Sequence, residues 1–175
     1  ATATVFFAHP EESIRGWERA IDAQARIVAS VRAVLAEPSR GPVVFFHGCA
    51  GGYFEVETSK KSVEVLEYLG YEVIVPKQGC CGLAQQSNGL FEQASKSVLK
   101  LCDDLRAAGK DLTIISSSGS CTGMVKHEAH EIMGVDDERL ADVGTRIRDI
   151  MEFLLDLHEA GELPTDFATI EMRVP

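Results

Sequence analysis

Five cysteines carry most of the chemical potential of this chain: Cys49, Cys80, Cys81, Cys102 and Cys121. The thiolate is both a nucleophile and a soft metal ligand, so thiols at defined spacing point to metal binding, redox exchange or covalent catalysis. Four of the five sit among glycines, in Gly48-Cys-Ala-Gly-Gly52, Gly79-Cys-Cys-Gly82 and Gly119-Ser-Cys-Thr-Gly123. Glycine lets a backbone turn tightly around a bulky centre. An odd count, an adjacent pair and a length of 175 residues argue against a secreted disulfide framework. Thiols kept for metal or redox work in a reducing compartment fit better. Cys102 stands apart. It lies beside Leu101 with Val98 and Leu105 on the same helical face, where a cysteine packs as a small hydrophobe.

The elements that must position the other four follow from hydrophobic patterning. Pro42–His47, Tyr71–Pro76 and Leu112–Ser116 are apolar runs of strand length. Each leads into one of the glycine–cysteine loops and then into an amphipathic helix: about Thr58–Leu69 (Val63, Leu66 and Leu69 inward), Leu90–Ala108 (Leu90, Ala94, Val98, Leu101 and Leu105 inward) and Met124–Met133. Alternating strands and helices predict an α/β fold: a parallel, Rossmann-like sheet of three or four strands flanked by helices. All strand-to-helix loops of such a sheet lie at its carboxyl edge, where ligands bind. Cys49, Cys80, Cys81 and Cys121 are therefore expected to converge there, close to helix N-termini whose dipoles favour thiolates.

Three segments complete the organisation. Residues 1–41 hold a short strand or linker at Thr4–Phe7 and a long helix over Glu11–Glu37, with Ile14, Trp17, Ile21, Ala25, Val28, Val31 and Leu35 at helical spacing. Residues 42–135 form the α/β core. Residues 136–175 carry one helix over Leu140–Ala160, with Leu140, Val143, Ile147, Ile150, Leu154 and Leu157 on its apolar face, and an extended tail.

Other candidates are weaker. His47 reads as the last residue of a strand with a packing or hydrogen-bonding role. His127 and His130 with Glu128 and Glu131 read as a solvated helix face, and Asp136–Glu138 as a charged turn. Gly48–Gly52 lacks the Lys-Ser/Thr ending of a phosphate loop. Thiolates without a nearby histidine favour zinc or iron–sulfur over copper, calcium or magnesium. Seventeen Lys and Arg against 27 Asp and Glu give a formal charge of −10, which disfavours nucleic acid and anionic lipid surfaces. Aromatic residues make up only 7%, so no base-stacking platform stands out. No apolar run approaches the ~18–20 residues of a membrane span, and no basic and apolar leader opens the chain, so a signal peptide is not expected.

Thirty residues separate Cys49 from Cys80-Cys81-Gly82, and Ser118-Gly-Ser-Cys121 begins thirty-six positions after Gly82. This spacing resembles the cysteine-rich CCG domain, in which a cysteine, a Cys-Cys-Gly and a Cys-x-x-Cys recur at such intervals. The resemblance runs from about Val43 to Gly134. The domain occurs in heterodisulfide reductase, in anaerobic glycerol-3-phosphate dehydrogenase, in iron–sulfur subunits of lactate and glycolate oxidases, and in large FAD-linked oxidases. Phe46-His-Gly-Cys49 and the serine-rich approach to Cys121 look like the first of two copies in the glycerol-3-phosphate enzymes.

The resemblance implies an electron-transfer module of an FAD-linked oxidoreductase. Its metal ligands would be Cys49, Cys80, Cys81 and Cys121, holding a 4Fe-4S iron–sulfur cluster or zinc. FAD would sit on a partner, a flavin-containing dehydrogenase domain or subunit. That partner would oxidise a 2-hydroxy acid or glycerol 3-phosphate, and this chain would supply no catalytic residue. A second CCG copy is expected beyond Glu171–Pro175, in a longer protein. The setting implied is cytoplasmic, reaching the inner face of the membrane only through partners. One position departs from the pattern: Ser118 replaces the first cysteine of the final pair, leaving four loop cysteines rather than five. Ser118 is either a hydrogen-bond donor to a cluster sulfur or a helix N-cap.

Two rival readings stand beside this one. The first is a disulfide oxidoreductase using Cys80-Cys81 as a vicinal pair. The second is an interaction domain without a cofactor. A cysteine phosphatase is a poor fit, because no arginine follows Cys49 within its loop.

Overall fold

A computed structural model of the protein describes residues 40–163. The expected helix over Glu11–Glu37 and the tail after Ala160 fall, wholly or mostly, outside these residues. The order of elements is β1 (Pro42–Phe46), α1 (Gly48–Tyr53), α2 (Val56–Tyr68), β2 (Glu72–Ile74), α3 (Leu83–Ser87), α4 (Phe91–Ala107), β3 (Ile114–Ser116), α5 (Gly119–Gly123), a π-helical turn (Met124–Glu128), α6 (Ala129–Glu131), α7 (Glu138–Arg146), β4 (Ile147–Asp149) and α8 (Ile150–Glu159). The four strands form one sheet in the order β2-β1-β3-β4. Every pairing is parallel, with Val43 opposite Val73, Phe45 opposite Ile115 and Ile114 opposite Ile147. The α/β class with a parallel sheet flanked by helices is as expected.

β1 shows why its sequence is a continuous apolar run. Val44 and Phe46 face a cluster that includes Val98, Leu101, Leu105, Met124 and Val143. Val43 and Phe45 face the opposite cluster of Val63, Leu66, Val73 and Ile115. Alternate side chains leave a strand on opposite faces, so a strand covered on both sides is apolar throughout. Burying each phenylalanine stabilises the fold by about 1.5–3 kcal/mol. α4 buries Ala94, Val98, Leu101, Cys102 and Leu105, all at spacings of three, four and one. Its outer face carries the pairs Lys96–Glu92 and Lys100–Asp104. Leu90, expected on the inner face, is instead exposed. It sits at the N-cap with ψ 58°, so its backbone leaves the helical path before its side chain reaches the core.

The expected helix over Leu140–Ala160 is the main correction. The chain forms α7, then the three-residue strand β4, then α8. Helical spacing of the apolar residues misleads because Ile147 is buried either way, here against β3. What restarts the helix is a capping box. The Asp149 carboxylate accepts a hydrogen bond from Met151 N (2.9 Å), and the Glu152 carboxylate accepts one from Asp149 N (3.3 Å). Together they satisfy backbone donors that a new helix leaves open. The Arg146 guanidinium donates to Leu112 O (2.9 Å), tying the end of α7 to the chain just ahead of β3. Among the described residues no helix is long and apolar enough to cross a membrane.

Candidate functional site

The sheet order sets the place. From β1 the chain moves to one side for β2 and then to the other for β3, so β1 and β3 flank the point where connection direction reverses. In open parallel sheets the crevice outside the carboxyl ends at that point is where ligands sit. Cys49 follows β1 in α1, Cys80 and Cys81 lie in the irregular segment between β2 and α3, and Cys121 lies in α5 after β3. The three loops bring their sulfurs together as two close pairs: Cys49 and Cys80 at 3.7 Å, Cys81 and Cys121 at 3.3 Å. The Cys80 and Cys81 thiols also interact, linking the pairs in a row. Cys49 and Cys80 are half-buried, whereas Cys81 and Cys121 are buried. Cys102 is in the core of α4, away from this group. Burial pushes its thiol up to about 12, far from a reactive value.

Glycines make the approach possible at two points. Gly48 has φ +65°, and a Cβ there would lie 3.2 Å from Cys121 Sγ. Gly82 has φ +86°, and a Cβ there would meet Ala94 O at 2.7 Å. The glycine of Cys-Cys-Gly is thus what lets the thiol loop pack directly on the backbone of α4.

Protons are shared unevenly. Contacts with the Cys49 and Cys81 thiols and the Gly82 N–H pull Cys80 down despite its burial. Cys49 is pushed up, first by its contact with Cys80 and then by burial. Cys81 is pushed up by its contacts with Cys121 and Cys80 and by burial. Cys121 is pulled down to about 7, chiefly by the Cys81 thiol and also by the Ser118 hydroxyl. A thiophilic ion binding here would displace whatever protons the four thiols hold. Ser118 occupies the N-cap position of α5, yet its side chain makes no capping hydrogen bond. Its hydroxyl favours the Cys121 thiolate instead.

The donor set fits a thiophilic centre in type: four cysteine sulfurs. In arrangement it is two pairs. Among the described residues no three His, Cys, Asp or Glu side chains converge on one point as ligands of a single ion.

His47 follows β1 as the N-cap of α1 rather than ending the strand. It is buried, its ring nitrogen Nδ1 meets Gly48 O, and burial lowers its pKa against the opposing effect of that contact. It packs against Gly52, where a Cβ would lie 2.9 Å from His47 Cε1. This is the packing role expected of it. His127 and His130 lie on an exposed face, with His127 beside Glu131 (3.7 Å). Glu128 differs from expectation: it is half-buried and accepts from Gln86 Nε2 (2.9 Å), joining the π-helical turn to α3. Asp137 in the charged turn caps α7 through Arg139 N (2.9 Å).

Gln78 is a residue that sequence reasoning misses. Its buried amide accepts from His47 N (3.0 Å) and donates to Phe45 O (3.0 Å) and Pro76 O (3.3 Å). It fastens the loop of Cys80 and Cys81 to the end of β1, two residues from Cys49. A glutamine just ahead of Gly-Cys-Cys-Gly is the only trace in the sequence, and glutamines in loops are ordinarily solvated.

Parallel strands, a crevice at their carboxyl ends and thiols on three successive loops make a recognisable arrangement, and sequence comparison agrees with it: residues 43–126 match the model of the Cysteine-rich domain family CCG. Among curated proteins, the chain is 31% identical over 116 residues to a subunit of anaerobic glycerol-3-phosphate dehydrogenase from Escherichia coli (strain K12), covering 63% of this chain and 29% of that protein. It is 30% identical over 128 residues to lactate utilization protein A of Oceanobacillus iheyensis (71% and 51%). It is 32% identical over 108 residues to lactate utilization protein A of Bacillus subtilis (61% and 43%). The matches thus span between about a third and a half of these relatives. No solved structure matches the chain.

Proposed function

We propose that this chain is an electron-transfer module, with residues 42–135 as its core, whose Cys49, Cys80, Cys81 and Cys121 hold a four-iron iron–sulfur cluster. The observation that carries the reading is the convergence of four thiols from three separate loops at the carboxyl edge of the sheet. Ser118 donates a hydrogen bond to the Cys121 sulfur, tuning the charge on that ligand. A cluster presents several irons, so neighbouring thiols need not share one ion. When bound, the cluster would take up and release single electrons. The chain's own residues bind it, exclude water from Cys81 and Cys121, and fix the loops through Gln78 and Gly82.

The relatives' names, one a dehydrogenase component and the others lactate utilization proteins, support a multi-component oxidoreductase. In it, FAD sits on a partner domain or subunit that oxidises glycerol 3-phosphate or a 2-hydroxy acid. A second CCG copy would receive or deliver the electrons. The assembly would work in the cytoplasm, meeting the membrane only through partners. Zinc is the second reading. Its support is the all-thiol donor set, and it would require the two sulfur pairs to close on one ion.

Anaerobic purification with iron, acid-labile sulfide and zinc measured per chain tests both. Iron and sulfide together with a broad visible band are expected. Stoichiometric zinc without iron would make this a structural site, and neither metal would overturn both readings.

A further inference from the structure

We propose that the metal-free chain closes two cross-loop disulfides, Cys49–Cys80 and Cys81–Cys121, and not the vicinal Cys80–Cys81 bond. The argument rests on the same four cysteines as the reading above but on no bound metal. The sulfurs that belong to different loops already lie 3.7 and 3.3 Å apart. A disulfide needs about 2.0 Å, a closure within reach of side-chain rotation and small loop shifts. Adjacent residues across a trans peptide have Cα atoms about 3.8 Å apart, below the roughly 4.4–6.8 Å that disulfides ordinarily span. The adjacency of Cys80 and Cys81 is therefore not what pairs them. Each has a partner within 3.7 Å across the crevice.

The chemistry is thiol–disulfide exchange with a small disulfide such as oxidised glutathione. The Cys80 sulfur attacks one glutathione sulfur, forming a mixed disulfide and releasing one reduced glutathione. The Cys49 sulfur then attacks Cys80 Sγ, forming the cross-loop bond and releasing the second. The protein loses two electrons and two protons, and the small disulfide becomes two thiols. The same two steps close Cys81–Cys121. Access sets the order. Cys49 and Cys80 are half-buried, whereas Cys81 and Cys121 are 2% and 6% exposed, so the outer pair closes first and the inner pair waits for the loops to open. Both bonds together would occupy every proposed metal ligand, making metal loading and oxidation mutually exclusive states of one site.

The test uses the whole chain, reduced and stripped with a chelator, then exposed to oxidised glutathione. Free thiols titrated in denaturant should fall from five to three and then to one, the survivor being Cys102. Fragmentation between Cys80 and Cys81 in the mass spectrum of the linked peptides assigns the partners. Cys80→Ser should retain only Cys81–Cys121, and Cys81→Ser only Cys49–Cys80. A Cys80–Cys81 bond, a Cys49–Cys81 bond, persistent glutathione adducts or five surviving thiols would each overturn the proposal. Wild-type fragmentation answers even where a variant fails to fold. Metal content is measured separately on anaerobic protein. A chain with both bonds but no metal sinks only the metal reading. A metal-binding chain with other pairings sinks only this one.

Discussion

The junction after β3 and the junction after β4 are built to the same plan and end in opposite uses. Both leave a three-residue parallel strand and enter a helix at the same edge of the sheet. After β3, Ser117 and Ser118 hold the chain open long enough to place Cys121 under Gly48 and beside Cys81. After β4 there is no open loop: Asp149 ends the strand and caps α8 at once, its carboxylate on Met151 N. The two turns are near neighbours, since a Cβ on Gly119 would lie 3.5 Å from Asp149 Oδ2. The fold thus repeats a strand-to-helix unit four times but places thiols on only three. The fourth closes the sheet and contributes stability.

That contrast predicts which substitutions remove chemistry and which remove structure. Cys121→Ala should abolish metal loading, with iron and sulfide per chain falling to background, while Asp149→Ala loads fully. Full loading of Cys121→Ala would show that the third loop is not a ligand loop. Ile147→Ala, at the buried start of β4, should cost about 2–5 kcal/mol in urea unfolding. A loss well under 1 kcal/mol would mean that β4 contributes little to the fold. Gln78→Ala should cost about 1–3 kcal/mol by leaving His47 N–H and Phe45 O without their buried partner. It should also slow metal loading, because it frees the Cys80–Cys81 loop from β1. Unchanged stability would show that the amide is dispensable.

Two smaller effects belong to the helix caps on either side of β4. Asp149→Ala should cost about 1 kcal/mol, read from the unfolding midpoint. Asp137, which caps α7, is held at about 2 by Arg139, below its ordinary 3.8. Its contribution is complete above 3.8 and is lost as pH falls through about 2. Acid titration should therefore loosen α7 within that window, and Asp137→Asn should remove that part of the pH dependence.

The thiol loops are readable from sequence because three apolar runs, each too short for a helix, precede glycine–cysteine turns. Topology then forces such turns to one edge. β4 is unreadable for the opposite reason. Three residues cannot display a period of two, and Leu140, Val143, Ile147, Ile150, Leu154 and Leu157 keep helical spacing through the break. The sign that separates them is Asp149 three positions ahead of Glu152, a capping box inside an apparent helix. Gln78 escapes because its importance lies in burial, which a polar side chain in a loop does not announce. Leu90 misleads by spacing alone, since position on a helical wheel means nothing before the helix has begun.

Just outside β1 and α8, the Arg40 guanidinium grips Glu162 through its carboxylate (3.0 Å) and its carbonyl (2.8 Å), while lying over the Tyr71 ring. Residue 40, just ahead of β1, is thereby clasped to residue 162, just beyond α8. Two positions that adjoin in space can be joined without stretching the sheet between them. Joining residues 162 and 40 by a short linker and opening the chain elsewhere should then leave the sheet intact.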